Sequence, residues 1–193
     1  MKKIMFNNKY GLTQAVLEGR KTQTRRIAYT GNATIIDCGI CVEPKNIGRA
    51  TLFRGIDEIA HSRYCIGEEV AVAQAYCELV SEAGYNEEEI NKLRNSKGYT
   101  NKMFVRADKM LHRIRITDIR AERLQDISEE DCLAEGIVDF DSRINKAHFY
   151  SITDESATYG TAKKPYSLLI DKIAGKGTWE SNPYVFVYEF GLI

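Results

Sequence analysis

Alternation of apolar and polar positions is clearest at the C-terminal end of the chain. Over residues 184–190, Tyr184, Phe186, Tyr188 and Phe190 alternate with Val185, Val187 and Glu189. Both sides of such a strand are apolar, which predicts a central position in a sheet or barrel. A second strand is predicted over residues 112–117, where Ile114 and Ile116 alternate with Arg113 and Arg115. A third is predicted over residues 68–79, after a turn at Gly67, with Val70, Val72, Gln74 and Tyr76 on one face and small alanines on the other. Residues 49–54 form a fourth candidate.

Helices are announced by their ends. Residues 12–18 read as a short helix with Thr13 near its start and Gly19 as its stop. Asn86 followed by Glu89 spells a capping box, with Tyr85 placed to staple onto Ile90. Ser128 plays the same part before Glu129, Glu130 and Asp131, with Ile127 set against Cys132 and Gly136 ending the helix. Pro165 opens a helix through Ile173, stopped by Gly175. Residues 139–164 are polar, rich in Ser, Thr and Gly and without a period, which predicts a long surface loop. Strands and helices do not alternate regularly and no repeat is visible. The expectation is a single α+β domain over residues 1–193 with a partly closed sheet and a loop insertion at 139–164.

With 193 residues, 44% hydrophobic and 28% charged, the chain can bury one core, which excludes disorder throughout. No apolar run approaches bilayer length, and the basic start lacks the apolar stretch of a signal peptide. Five cysteines at irregular spacing fit reduced thiols, so a cytoplasmic protein without a membrane partner is expected. Cys38 and Cys41 form a Cys-x-x-Cys, but neither a second close pair nor a suitably spaced His accompanies it, so no metal or other cofactor is expected.

Net charge is zero but unevenly placed. Residues 1–26 carry seven Lys or Arg against one acid, Glu18. Such an end either steers an anionic partner or is a solvated basic face. Its densest part is residues 19–26, Gly-Arg-Lys-Thr-Gln-Thr-Arg-Arg. There a helix stops at a glycine and the chain leaves with four cations and two hydroxyl groups. Guanidinium and ammonium groups pair with phosphate or carboxylate, and hydroxyls bond the same ligand. The glycine spacing is not that of a phosphate-cradling Walker loop.

This stretch resembles the Gly-x-Lys-x-x-x-x-Arg signature of the ASCH family within the PUA-like superfamily, on Gly19, Lys21 and Arg26. Residues 64–72 (Tyr-Cys-Ile-Gly-Glu-Glu-Val-Ala-Val), 116–131 and 179–185 (Trp-Glu-Ser-Asn-Pro-Tyr-Val) are similar, in the same order, to the larger phage and prophage members. Residues 28–60 and 80–110 match poorly. The resemblance implies a small β-barrel with helices at its openings and a cleft beside the Lys motif. PUA-like domains commonly bind RNA, and some read modified bases.

On that basis the expected function is binding of RNA or of a modified nucleoside or nucleotide in a basic cleft. Its contacts would come from Gly19, Arg20, Thr22, Arg25 and Arg26, with Tyr76 available to stack on a base. Core packing serves Tyr76 equally well. One small bacterial ASCH group hydrolyses acetylated cytidine with a Lys, a Thr three residues later and a Glu on a later helix. Matching its motifs puts these roles on Lys21, Thr24 and Glu135. Arg25 stands where those hydrolases carry an apolar residue. In this alternative, an amidohydrolase, Lys21 deprotonates the Thr24 hydroxyl and Glu135 moves a proton to the leaving amine or holds Lys21. Residues three apart on a regular strand face opposite sides, so the chain must bend between Lys21 and Thr24. A ribonuclease using the same cleft is a weaker alternative, because no His pair or carboxylate cluster is apparent.

Overall fold

The computed structural model describes residues 1–30, 33–34, 40–42, 48–54, 57–82, 84–141, 148–153 and 157–193. The chain begins with β1 (Lys2–Ile4), α1 (Leu12–Leu17), β2 (Gln23–Ile27) and the short strands β3 (Tyr29–Thr30) and β4 (Ala33–Thr34). It continues through β5 (Ile40–Val42), β6 (Thr51–Arg54), β7 (Asp57–His61) and β8 (Glu69–Val72). Helices α2 (Tyr76–Leu79) and α3 (Glu87–Arg94) precede the long strand β9 (Arg113–Arg123) and α4 (Glu129–Ala134). Then come β10 (Val138–Asp141), β11 (His148–Ser151), α5 (Lys163–Ala174), α6 (Thr178–Ser181) and β12 (Tyr184–Leu192).

Five strands form the main sheet in the order β1-β8-β9-β12-β2. The sheet is mixed, because β1 runs parallel to β8 while the other pairs are antiparallel. Its edges are β1 and β2, so among the described residues the sheet is not a closed barrel. With six α-helices among the described residues, the fold is α+β, as expected. β12 lies between β9 and β2, and Val185, Phe186, Val187, Tyr188 and Phe190 are all buried. The two-sided apolar pattern required that central place. Among the described residues, no helix is long and apolar enough to cross a membrane.

Three expectations need correction. Strand β8 stops at Val72 rather than continuing to residue 79, and Tyr76 opens α2. Ala73 and Ala75 stay buried beyond the strand, so the alternation outlasts the ladder. The Glu78 carboxylate accepts from the Ala75 N–H at 2.9 Å, which starts the helix instead. The expected loop at 139–164 contains most of the antiparallel pair β10–β11 and the first two residues of α5. Phe149 and His148 are exposed on β11, so this hairpin has no alternating apolar face to show in sequence. Finally, β9 runs to Arg123, six residues past the expected end. In its second half, Arg120 and Glu122 belong to an ion network with Arg25, Asp131 and Glu189, while Asp118 is exposed.

The predicted caps are present. Asn86 accepts from the Glu89 N–H and Ser128 from the Asp131 N–H, at 2.9 and 3.0 Å. Gly19, with φ +73°, ends the first helix and bonds back to Val16. Cys38 and the side chain of Cys41 lie outside the described residues.

Candidate functional site

After Gly19 the chain is pinned on two sides. The Lys21 N–H donates to Ala15 of α1 and the Thr22 N–H to Ala134 of α4, both at 2.9 Å. These bonds aim the Lys21 side chain inward, where only 2% of it is exposed. Its Nζ donates to Glu135 twice, to the carbonyl at 2.7 Å and to Oε2 at 2.5 Å. Gly136 makes room for this pair. Its φ is +100°, and a Cβ there would sit 3.3 Å from Leu12 and 3.6 Å from the Lys21 stem. Burial lowers the Lys21 pKa from the usual ammonium range; Glu135 opposes that fall, and Arg26 and Arg25 add to it.

Arg25 ties Glu135 to two further acids. Its Nη1 donates to Glu135 Oε1 at 3.3 Å, and Nε to Glu122 at 2.9 Å. Nη2 donates to Glu122 at 2.7 Å and to Asp131 at 2.6 Å. Arg120 bonds the same Glu122 and Asp131, and reaches Glu189. The strand register explains the cluster, because Arg25, Val187 and Arg120 stand side by side across β2, β12 and β9. Asp131 is held below the ordinary carboxylate pKa: burial alone would raise it, and the Arg25 and Arg120 guanidiniums outweigh burial. The Cys132 thiol beside this network is pushed up to about 12 by burial, which leaves it unreactive.

Lys21, Thr24, Arg25, Arg26 and Glu135 all line one cavity of about 390 Å³, a size that suits a small ligand. Lys21 lies before β2 begins, so it and Thr24 are not on one regular strand. Both side chains nonetheless line the same cavity. Thr24 and Arg25 point to opposite faces of β2, and both reach the cavity because β2 is the sheet edge. Tyr166 of α5 also lines the cavity. Only 1% of Tyr166 is exposed, and among the described residues its hydroxyl has no hydrogen-bond partner. Burial holds that phenol well above its ordinary pKa, so it stays a neutral donor.

The other predicted contacts lie apart. Gly19, Arg20 and Thr22 are exposed and do not line this cavity, and Arg20 bonds Glu18 at 2.8 Å. Tyr76 packs with Leu79, Val105 and Met110 in a second, smaller core. Adding a Cβ to Gly98 would bring it within 2.7 Å of the Tyr76 ring, so that ring is closely packed.

Sequence reasoning did not single out Tyr166, Glu122, Asp131 or Arg120 as parts of this site. The even charge spacing of Arg120, Glu122 and, on the neighbouring strand, Glu189 was the available signal, legible only once the strands are paired. Among the described residues, no cluster of His, Cys, Asp and Glu suits a metal ion. No family profile, curated protein or solved structure matches the chain.

Proposed function

We propose that this chain is an ASCH-type, PUA-like domain that binds a modified nucleoside, free or within RNA, in the cavity beside β2. The observation that carries the reading is the buried Lys21–Glu135 pair lining that cavity together with Thr24 and the unpartnered Tyr166 hydroxyl. A buried donor without a partner is costly in a folded protein, and a ligand acceptor relieves the cost. The barrel geometry belongs to the same proposal. It is supported by the Arg26 bond to the Met5 carbonyl at 2.7 Å, and by the Phe6 and Phe190 rings packing at 5.7 Å. The first contact joins edge strand β2 to the chain just after edge strand β1.

A second reading, deacylation, is favoured by one specific feature: burial lowers the pKa of the lysine beside a threonine. In it, neutral Lys21 takes the Thr24 proton as Oγ1 bonds the acyl carbon. The carbon–nitrogen bond then breaks, and the proton passes to the leaving amine. Water hydrolyses the acyl-threonine and restores Thr24. Glu135 positions Lys21 and exchanges its proton.

Both readings are tested with cytidines acylated on the exocyclic amine. Calorimetry should show binding to the wild type and a loss of about tenfold or more in Lys21→Ala. Turnover, where present, should fall by about a hundredfold or more in Thr24→Ala. Binding without turnover by any acylated cytidine would reject deacylation. Absence of binding to every nucleoside and to RNA at low salt would reject the function.

A further inference from the structure

A second cavity, of about 480 Å³, adjoins the first, and Met5 and Arg26 line both. The two differ in charge. In the Lys21 cavity, Lys21 and Arg25 are bonded to carboxylates, as is Arg120 behind them, whereas Lys102, which also lines it, donates to the Phe6 carbonyl and to the Asn8 and Thr13 side chains. An anion entering beside Lys21 and Arg25 would meet cations already neutralised, alongside the Glu135 carboxylate. That chemistry suits an uncharged group such as a nucleobase or its amide.

The adjoining groove is lined by Lys3, Arg26 and Arg63, with no carboxylate among its lining residues. Among the described residues, none of these three cations forms an ion pair. Lys3 donates to the carbonyls of Lys102, Met103 and Val105, and Arg26 to that of Met5, so both are positioned while their charge remains uncompensated. Arg63 is exposed, and its backbone N–H donates to the Tyr188 hydroxyl at 2.7 Å, which anchors the groove wall. Tyr64 and Tyr188 form an aromatic floor, and Tyr29 stands half exposed at the rim. Uncompensated cations interleaved with rings fit a phosphate flanked by a base.

We propose that the ligand carries a phosphate, bound in the groove of Lys3, Arg26 and Arg63 while its uncharged base occupies the Lys21 cavity. This rests on the reading of the Lys21 cavity as a nucleoside site, and extends it from nucleosides to nucleotides. The phosphate comes from a mononucleotide or from a strand, whose next base would lie on Tyr29.

The test measures dissociation constants by calorimetry for three probes: acetylcytidine, its monophosphate ester and an RNA tetranucleotide containing acetylcytidine. At least one phosphate-bearing probe should bind about tenfold or more tighter than the nucleoside at low salt, and the advantage should shrink at high salt. The tighter of the two identifies the source of the phosphate. In Arg63→Gln the ratio of nucleoside to nucleotide constants should fall several-fold toward one. A nucleoside that binds as tightly as both phosphate-bearing probes overturns the inference and leaves the nucleoside reading standing. So does an advantage that Arg63→Gln leaves unchanged. Failure of all three probes to bind overturns both.

Discussion

Replacing Glu135 by Gln keeps the shape of the site and removes the carboxylate that, among the described residues, is bonded to Lys21. At 2.5 Å and an effective dielectric constant near 20, the lost attraction is about 7 kcal/mol before desolvation is counted. The loss of stability is smaller, because the buried ammonium escapes by giving up its proton. Deprotonating a lysine of pKa about 10.4 at pH 7 costs about 4.6 kcal/mol, at about 1.36 kcal/mol per unit. The expected destabilisation near neutral pH is therefore about 3–5 kcal/mol, the range for breaking a buried pair. It also depends on pH. In the variant the folded-state pKa of Lys21 drops below its already lowered wild-type value, while the unfolded value stays near 10.4. Between the two folded-state values, the unfolded variant holds a proton that the folded variant lacks. Its stability thus rises with pH by up to about 1.36 kcal/mol per unit, and its deficit against the wild type narrows. Urea unfolding of both proteins from about pH 6 to pH 9 measures this directly. A deficit below about 1 kcal/mol, or one constant across that range, refutes the view that Glu135 neutralises Lys21.

Tyr166→Phe removes a buried hydroxyl that has no partner, so unfolding of the free protein should show unchanged or higher stability, by up to about 1–3 kcal/mol. The same change should weaken acetylcytidine binding by about five- to tenfold, which a purely structural tyrosine would not do. Asp131 has a folded-state pKa below its unfolded one, so its contribution is complete above about pH 4 and is lost as pH falls through the folded value. Acid titrations followed by circular dichroism should show the wild type more stable than Asp131→Asn at neutral pH, with the gap closing only below about pH 4. A gap that stays open in strong acid would mean that the Arg25 and Arg120 contacts do not stabilise the carboxylate.

What could be read along the chain was whatever a short window contains. The capping box at Asn86, the Ser128 N-cap and the glycine stop at Gly19 are local chemistry, and each formed where expected. The central place of β12 followed from apolar residues on both of its sides. The β10–β11 pair was missed because its described side chains are mostly only partly buried or exposed and impose no period. Strand β8 was drawn too long because buried alanines prolong the alternation past the last paired residue.

The basic segment at 19–26 shows most clearly where local reading ends. Its residues and the need for a bend were evident from the sequence, and Lys21, Thr24 and Glu135 were named by resemblance. Their charge state was not evident. Arg25, at a position that is apolar in the similar hydrolases, is buried and bonded to Glu122, Asp131 and Glu135, which lie about 100 residues away or more. Lys21 likewise meets its carboxylate 114 residues along the chain. The sequence by itself determined that a helix stops at Gly19 and that cations cluster beyond it. Only the tertiary structure decided which of those cations are neutralised, because that depends on strand register and on which helix ends converge. It separates paired Lys21 and Arg25 from Arg26, whose charge faces an open groove.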